Sequence, residues 1–164
     1  LRLWAIVIIG NLVGAAVAAG LLTLAEPIIQ AEQGYILLGK HLVEPDANPL
    51  LVSSVLAGWL MALGAWLVLG TSYTSGQILC IYFVTFLIGL GGLHHSIAGS
   101  IEMFTALMIS SQFSIAQAVR FISLALLGNL IGGSMFVAVL NYAHIRGLQN
   151  EDDKRVATTE SNEE

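Results

Sequence analysis

The chain has 164 residues, 56% of them hydrophobic and 10% charged, with a mean hydropathy of +0.81 and a formal net charge of −5. Soluble domains carry about 25% charged residues, so this composition excludes an ordinary soluble globular domain. The single cysteine, Cys80, excludes an intramolecular disulfide and gives no metal or redox signal; no cofactor and no nucleic-acid partner is expected.

The charges are missing in blocks. No Asp, Glu, Lys or Arg occurs between Arg2 and Glu26, between Asp46 and Glu102, or between Arg120 and Arg146. A helix needs roughly 20 apolar residues to cross a bilayer core, and backbone groups in lipid must be satisfied within their own segment. The pattern predicts an all-α membrane protein with four spans, at about 3–24, 50–69, 78–110 and 119–143.

The first span starts almost at once, behind Leu1. Ala16–Val17–Ala18 resembles a signal-peptide cleavage site, but the apolar run continues through Leu21, Leu22 and Leu24, too long for a signal peptide. The stretch Ala25–Pro49, with Glu26, Glu32, Lys40, Glu44 and Asp46, reads as a loop. After the second span comes an apolar stretch, Gly76–Ser111, of 36 residues, about 54 Å if wholly helical. That is too long for one span and too short for two. Near its middle lies Gly89–Leu90–Gly91–Gly92–Leu93–His94–His95–Ser96, whose glycines predict a broken helix. Breaks at membrane depth occur where freed backbone lines a cavity, and a half-helix N-terminus there offers a positive dipole end to an anion. His94, His95 and Glu102 stand in this region, and ionisable groups inside a membrane usually mark a pathway.

In the fourth span Gly128–Asn129–Leu130–Ile131–Gly132–Gly133 repeats Gly10–Asn11–Leu12–Val13–Gly14–Ala15 of the first. Such a repeat suggests two halves of inverted topology. The second to fourth spans form one half, and the first span is the last helix of a half whose two preceding helices lie outside this chain. The tail 147–164 has six acids against two bases, and disorder is expected there. Arg2, Arg146, Lys154 and Arg155 on one side against Lys40 and Arg120 on the other place both ends in the cytoplasm.

Gly92–Leu93–His94–His95–Ser96–Ile97–Ala98 resembles the signature of the formate/nitrite transporter family, in which a histidine followed by Ser–Ile/Val–Ala sits at the break of the fifth helix. The Gly128 and Gly10 motifs resemble that family's sixth and third helices, so the likeness covers about residues 1–146, helices three to six. It implies an aquaporin-like inverted-repeat bundle of six spans, a homopentamer in the inner membrane, and transport of small monovalent weak-acid anions such as formate or nitrite. By the same resemblance His95 is the pore histidine, and Lys40 matches a basic residue of the outer vestibule. The chain departs from the family in carrying His94 where formate channels have glutamate, and Gly58 and Gly99 where they have asparagine. These departures resemble a branch with a double histidine and leave the substrate open.

Plainer readings stand beside these. His94 can be a packing residue, and Glu102 a tie between helices. Asn11 and Asn129 read as interhelical hydrogen-bond partners that hold broken backbone. Trp4, Trp59 and Trp66 read as interface or packing aromatics. Two rival functions have less behind them. A water or small neutral solute channel would share the broken helix, but the Asn–Pro–Ala motif is absent. An intramembrane enzyme would need a motif such as Gly-x-Ser-Gly, also absent, and adjacent histidines cannot grip one haem iron from opposite faces.

Overall fold

The first apolar run forms α1 (Arg2–Ile29), which ends just after Pro27 where Gln30 takes a positive φ of 53°. The chain then continues through α2 (Glu32–Val43), α3 (Ala47–Gly70), α4 (Thr74–Leu90), α5 (Ser96–Ile109) and α6 (Ile115–Glu160). The computed structural model describes residues 2–160, with side chains through Leu140 and at Tyr142. Among the described residues every regular element is a helix, and α1, α3 and residues 115–140 of α6 are long and apolar enough to cross a membrane. The protein is an all-α membrane protein.

Contact registers give the helix directions. Ser54 lies against Gly128, Val55 against Gly132 and Ala62 beside Gly133, so α3 and α6 run the same way. The Gln77 side chain donates to the Thr71 carbonyl at 2.9 Å while Val84 packs on Gly64, so α4 runs against α3. Ser96 meets Asn129 and Gly99 meets Phe121, so α5 runs against α6. Ile97 and Ile101 sit beside Gly10 and Gly14 of α1 while Thr23 reaches Met108, so α1 and α5 are parallel. It follows that α4 and α5 point the same way and together return the chain from the end of α3 to the start of α6. It also follows that α1 and α6 point in opposite directions.

The α3–α6 contact is the closest in the fold. A Cβ on Gly132 would collide with the Val55 carbonyl, and one on Gly58 with the Asn129 backbone. Small residues bring the two backbones together where no water is available to drive apolar association. Their motif partners on α1 differ: Gly10 and Gly14 have nothing within 4 Å of a built Cβ. A capping box starts α6, with Gln117 N–H donating to Ser114 Oγ at 3.3 Å and Ser114 N–H donating to Gln117 Oε1 at 2.8 Å. The core joins Leu42 of α2, Leu50 of α3, Met103 and Ala106 of α5, and Phe121 and Ala125 of α6.

One expectation needs correction. The stretch expected to be a loop, 25–49, holds α2, whose Gly39 and Leu42 are buried and whose Gly39 packs on Phe113 and Ala106. The helix forms because Glu32 sits in its first turn, Lys40 and His41 in its last, and the Glu32 N–H is capped by Glu26 Oε1 at 3.2 Å. Beyond its membrane-spanning part α6 is drawn on as helix to Glu160, over the stretch from Gly147 for which disorder is expected. A helix already nucleated by a span adds one bond per further residue without a new nucleation cost. Residues 161–164, and the side chains of Arg146, Lys154 and Arg155, lie outside the described residues.

Candidate functional site

The break expected near His94–His95 spans 91–95, between α4 and α5. Its first half is a Schellman turn, in which Leu93 N–H donates to the Ile88 carbonyl at 2.9 Å and Gly92 N–H to the Gly89 carbonyl at 3.1 Å. Gly92 holds φ +58°, and a Cβ on it would stand 3.2 Å from His41 Cε1. Glycine suits that conformation, and a Cβ there would crowd the His41 ring by a few tenths of an ångström. The second half ends at His95, which caps α5: its Nδ1 accepts the Ala98 N–H at 3.4 Å.

The two adjacent histidines do different things. His94 is 5% exposed and fully bonded. A carbonyl can only accept, so the contact at 3.2 Å to the His41 carbonyl makes Nε2 the donor. Nδ1 then accepts from the Ser53 hydroxyl at 2.8 Å, and Ser53 Oγ in turn accepts the His94 backbone N–H at 3.1 Å. No ring nitrogen of His94 is left for a solute. In His95 the cap assigns the lone pair to Nδ1 and the proton to Nε2, and Nε2 makes no hydrogen bond among the described residues. Since no buried side-chain nitrogen or oxygen there lacks a partner, this N–H opens onto free space.

That space is a cavity of about 500 Å³ between α2, α3, α4, the break and α5. Its walls are mainly apolar, with Met61, Ile88 and Ile97 among them, and His41, His94, His95 and Glu102 also line it. A larger groove of about 730 Å³ beside Trp4 and α6 is lined by Asn129 but by no ionisable side chain among the described residues, so the ionisable groups gather at the smaller cavity.

Asn129 braces the break from the side of α6. Its Oδ1 accepts the Ser96 N–H at 2.8 Å, and its Nδ2 donates to the carbonyls of Ser54, 2.8 Å, and His94, 3.1 Å. One amide thus ties α6 to α3 and to both sides of His95. Asn11, its counterpart in the repeat, is exposed and donates only to Val7 of its own helix at 2.8 Å, away from the cavity. Lys40 is exposed on α2 and does not line the cavity. Glu102 lines it, two turns beyond His95 on α5. Trp59 packs edge-on against Phe136 across α3 and α6, whereas Trp4 and Trp66 are exposed.

His41 belongs to the site although the sequence reading passed it over. Its ring stacks on His94 with centroids 4.8 Å apart and planes 12° apart, and its Nε2 donates to the Gly92 carbonyl at 3.0 Å. The signal that could have found it is the helical spacing of Tyr35, Ile36, Gly39, Leu42 and Val43, which places α2 on the core.

Comparison with known proteins points to a membrane transporter. Residues 1–143 match the family model described as formate/nitrite transporter. The chain is 28% identical over 152 residues to the inner membrane protein YfdC of Escherichia coli (strain K12), covering 89% of this chain and 47% of that protein. It is 27% identical over 162 residues to the uncharacterized transporter YrhG of Bacillus subtilis (strain 168), covering 94% of this chain and 59% of that protein. The chain therefore spans about half the length of these curated relatives. No solved structure matches it. The chain belongs to the formate/nitrite transporter family, whose members carry solutes across membranes and are not enzymes.

Proposed function

We propose that the protein is a multi-pass inner-membrane channel for small monovalent weak-acid anions such as formate or nitrite. Its helices form the second half and one further span of an aquaporin-like inverted repeat of six spans, assembled as a homopentamer with the ends of this chain in the cytoplasm. The opposed directions of α1 and α6, the broken passage of α4 and α5 and the family membership support that architecture. Lys40 stands at the outer vestibule, where its charge raises the local anion concentration.

The reading rests on one observation. His95 holds its Nδ1 in a helix cap and leaves Nε2–H free at an apolar-walled cavity, while His94 is fully bonded. An anion leaving water loses its hydration, and an unpaired charge in apolar surroundings is costly. A neutral N–H donor inside an apolar-walled cavity offsets part of that cost without the tight binding a fixed cation would impose. The positive end of α5 at Ser96–Ala98 adds to it.

The experiment is anion flux into proteoliposomes of the full-length protein. His95→Phe abolishes formate or nitrite uptake. His95→Asn keeps a donor and retains uptake, with weaker pH dependence between about 5 and 8. Parent-level uptake by His95→Phe, with His94→Ala inactive although folded, would move the pore role to His94.

A further inference from the structure

The cavity beside the break offers two kinds of hydrogen-bonding group, and an anion can use only one of them. The donor is the His95 Nε2–H at the start of α5. The acceptors are Glu102 and Thr85. Glu102 lies half-buried on α5, lines the cavity and, among the described residues, makes neither a hydrogen bond nor an ion pair. Buried side-chain oxygens there all have partners, so the Glu102 oxygens are open. Thr85 of α4 lines the same cavity, and its hydroxyl proton goes to the Ile81 carbonyl at 2.8 Å or the Tyr82 carbonyl at 3.1 Å. A hydroxyl has one proton and two lone pairs, so Thr85 has only acceptor capacity left to offer.

His95 and Glu102 are seven residues apart, which puts both on one face of α5 with about 10 Å of helix axis between them. Helical side chains lean toward the N-terminus of their helix, and that lean turns Glu102 back toward His95. A carboxyl oxygen accepts with or without a proton on the group, so this acceptor is present at any pH. Formate and nitrite have only lone pairs to give; they meet the donor and gain nothing from the acceptors. An ammonium ion has only N–H groups and meets the reverse. A small carboxamide such as urea carries both in one plane. Its carbonyl takes the His95 N–H, and its own N–H groups find acceptors in Glu102 and Thr85. It also enters without net charge, which spares it the desolvation cost an ion bears.

We infer that the cavity also passes small neutral carboxamides, urea and formamide being the simplest, with Glu102 as the residue that selects them. This rests on the reading of the cavity as the solute pathway and adds a second substrate class to it. Both classes share the single free donor of His95 and therefore compete for it, whereas only the carboxamide uses Glu102. Loss of one hydrogen bond to a carboxyl group lowers carboxamide occupancy on the order of tenfold.

The test is urea entry into proteoliposomes of the full-length protein, read as osmotic swelling by light scattering and corrected for protein-free liposomes, with formate flux measured on the same preparations. The parent admits both, and excess formate slows urea entry. Glu102→Leu lowers urea flux relative to formate flux on the order of tenfold, while Glu102→Gln keeps a carbonyl acceptor and holds the parent ratio. Should Glu102→Leu fold poorly, Glu102→Ala makes the same comparison. A parent that carries formate but no urea above protein-free liposomes overturns the carboxamide and leaves the anion pathway standing. A urea-to-formate ratio that stays at the parent value in Glu102→Leu or Glu102→Ala overturns the selection by Glu102. Urea flux without formate flux supports this inference and overturns the anion reading. A folded parent that carries neither overturns both.

Discussion

Gly92 shows how much one residue can decide in a broken helix. Its φ of +58° lies where an L side chain costs roughly 1–2 kcal/mol, and the His41 ring fills the space a Cβ would need. Gly92→Ala is therefore expected to lower stability by about 2 kcal/mol, read as a reduced unfolding temperature in detergent; an unchanged melting curve would count against the Schellman turn. Asn129→Leu keeps the volume and removes three hydrogen bonds, leaving the Ser96 N–H without its partner. An orphaned buried donor costs about 1–3 kcal/mol, and flux should fall with it, since the bonds flank His95. At this scale the sequence carried half the site. The double histidine, the glycine cluster and Asn129 were visible as residue types that membranes do not keep without a use. Which histidine was free was not visible, because His94 and His95 differ only in partners that lie 41 and 53 residues away for His94 and 3 residues away for His95.

Among the elements, α6, α3 and the break follow from local chemistry. The Ser114–Gln117 capping box, the long apolar runs and the glycines at 89, 91 and 92 are all signals within one turn of where they act. The helix α2 is different. Its residues are polar enough to read as a loop, and twelve residues make a marginal helix on their own. It persists because Gly39 and Leu42 seat it on Phe113, Ala106 and the core. A Cβ on Gly39 would stand 2.6 Å from Phe113 Cζ and 2.7 Å from Ala106 Cβ. Gly39→Val should thus lift α2 and carry His41 away from Gly92, with a stability loss of about 1–3 kcal/mol and reduced flux. Parent-like flux and melting together would show that α2 is not anchored there. Gly132→Val is expected to be worse, since the obstructing atoms are the Val55 backbone and cannot turn aside; recovery of folded protein after detergent extraction measures it.

The whole molecule exposes apolar side chains that no soluble monomer would, such as Leu24 at 80%, Ile28 at 88% and Leu69 at 87%. Lipid covers such surface, and the further helices and subunits proposed above would cover part of it. The pentamer proposed for the full-length protein is tested by native mass spectrometry in detergent; monomer at every concentration would sink it. Block-wise absence of charge fixed the membrane, the helical class and roughly where three helices run, because the cost of a charge in hydrocarbon and the need to bond the backbone internally act on each segment by itself. The repeat of Gly10–Asn11 as Gly128–Asn129 hinted at opposed helices. What only the tertiary structure decided was partnership: that Asn129 is triply bonded while Asn11 bonds within its own helix, that α2 packs on α5, and that His41, His95 and Glu102 share one cavity. Those facts depend on contacts between segments tens of residues apart, and a hydrogen bond or a cavity exists only once both of its sides are in place.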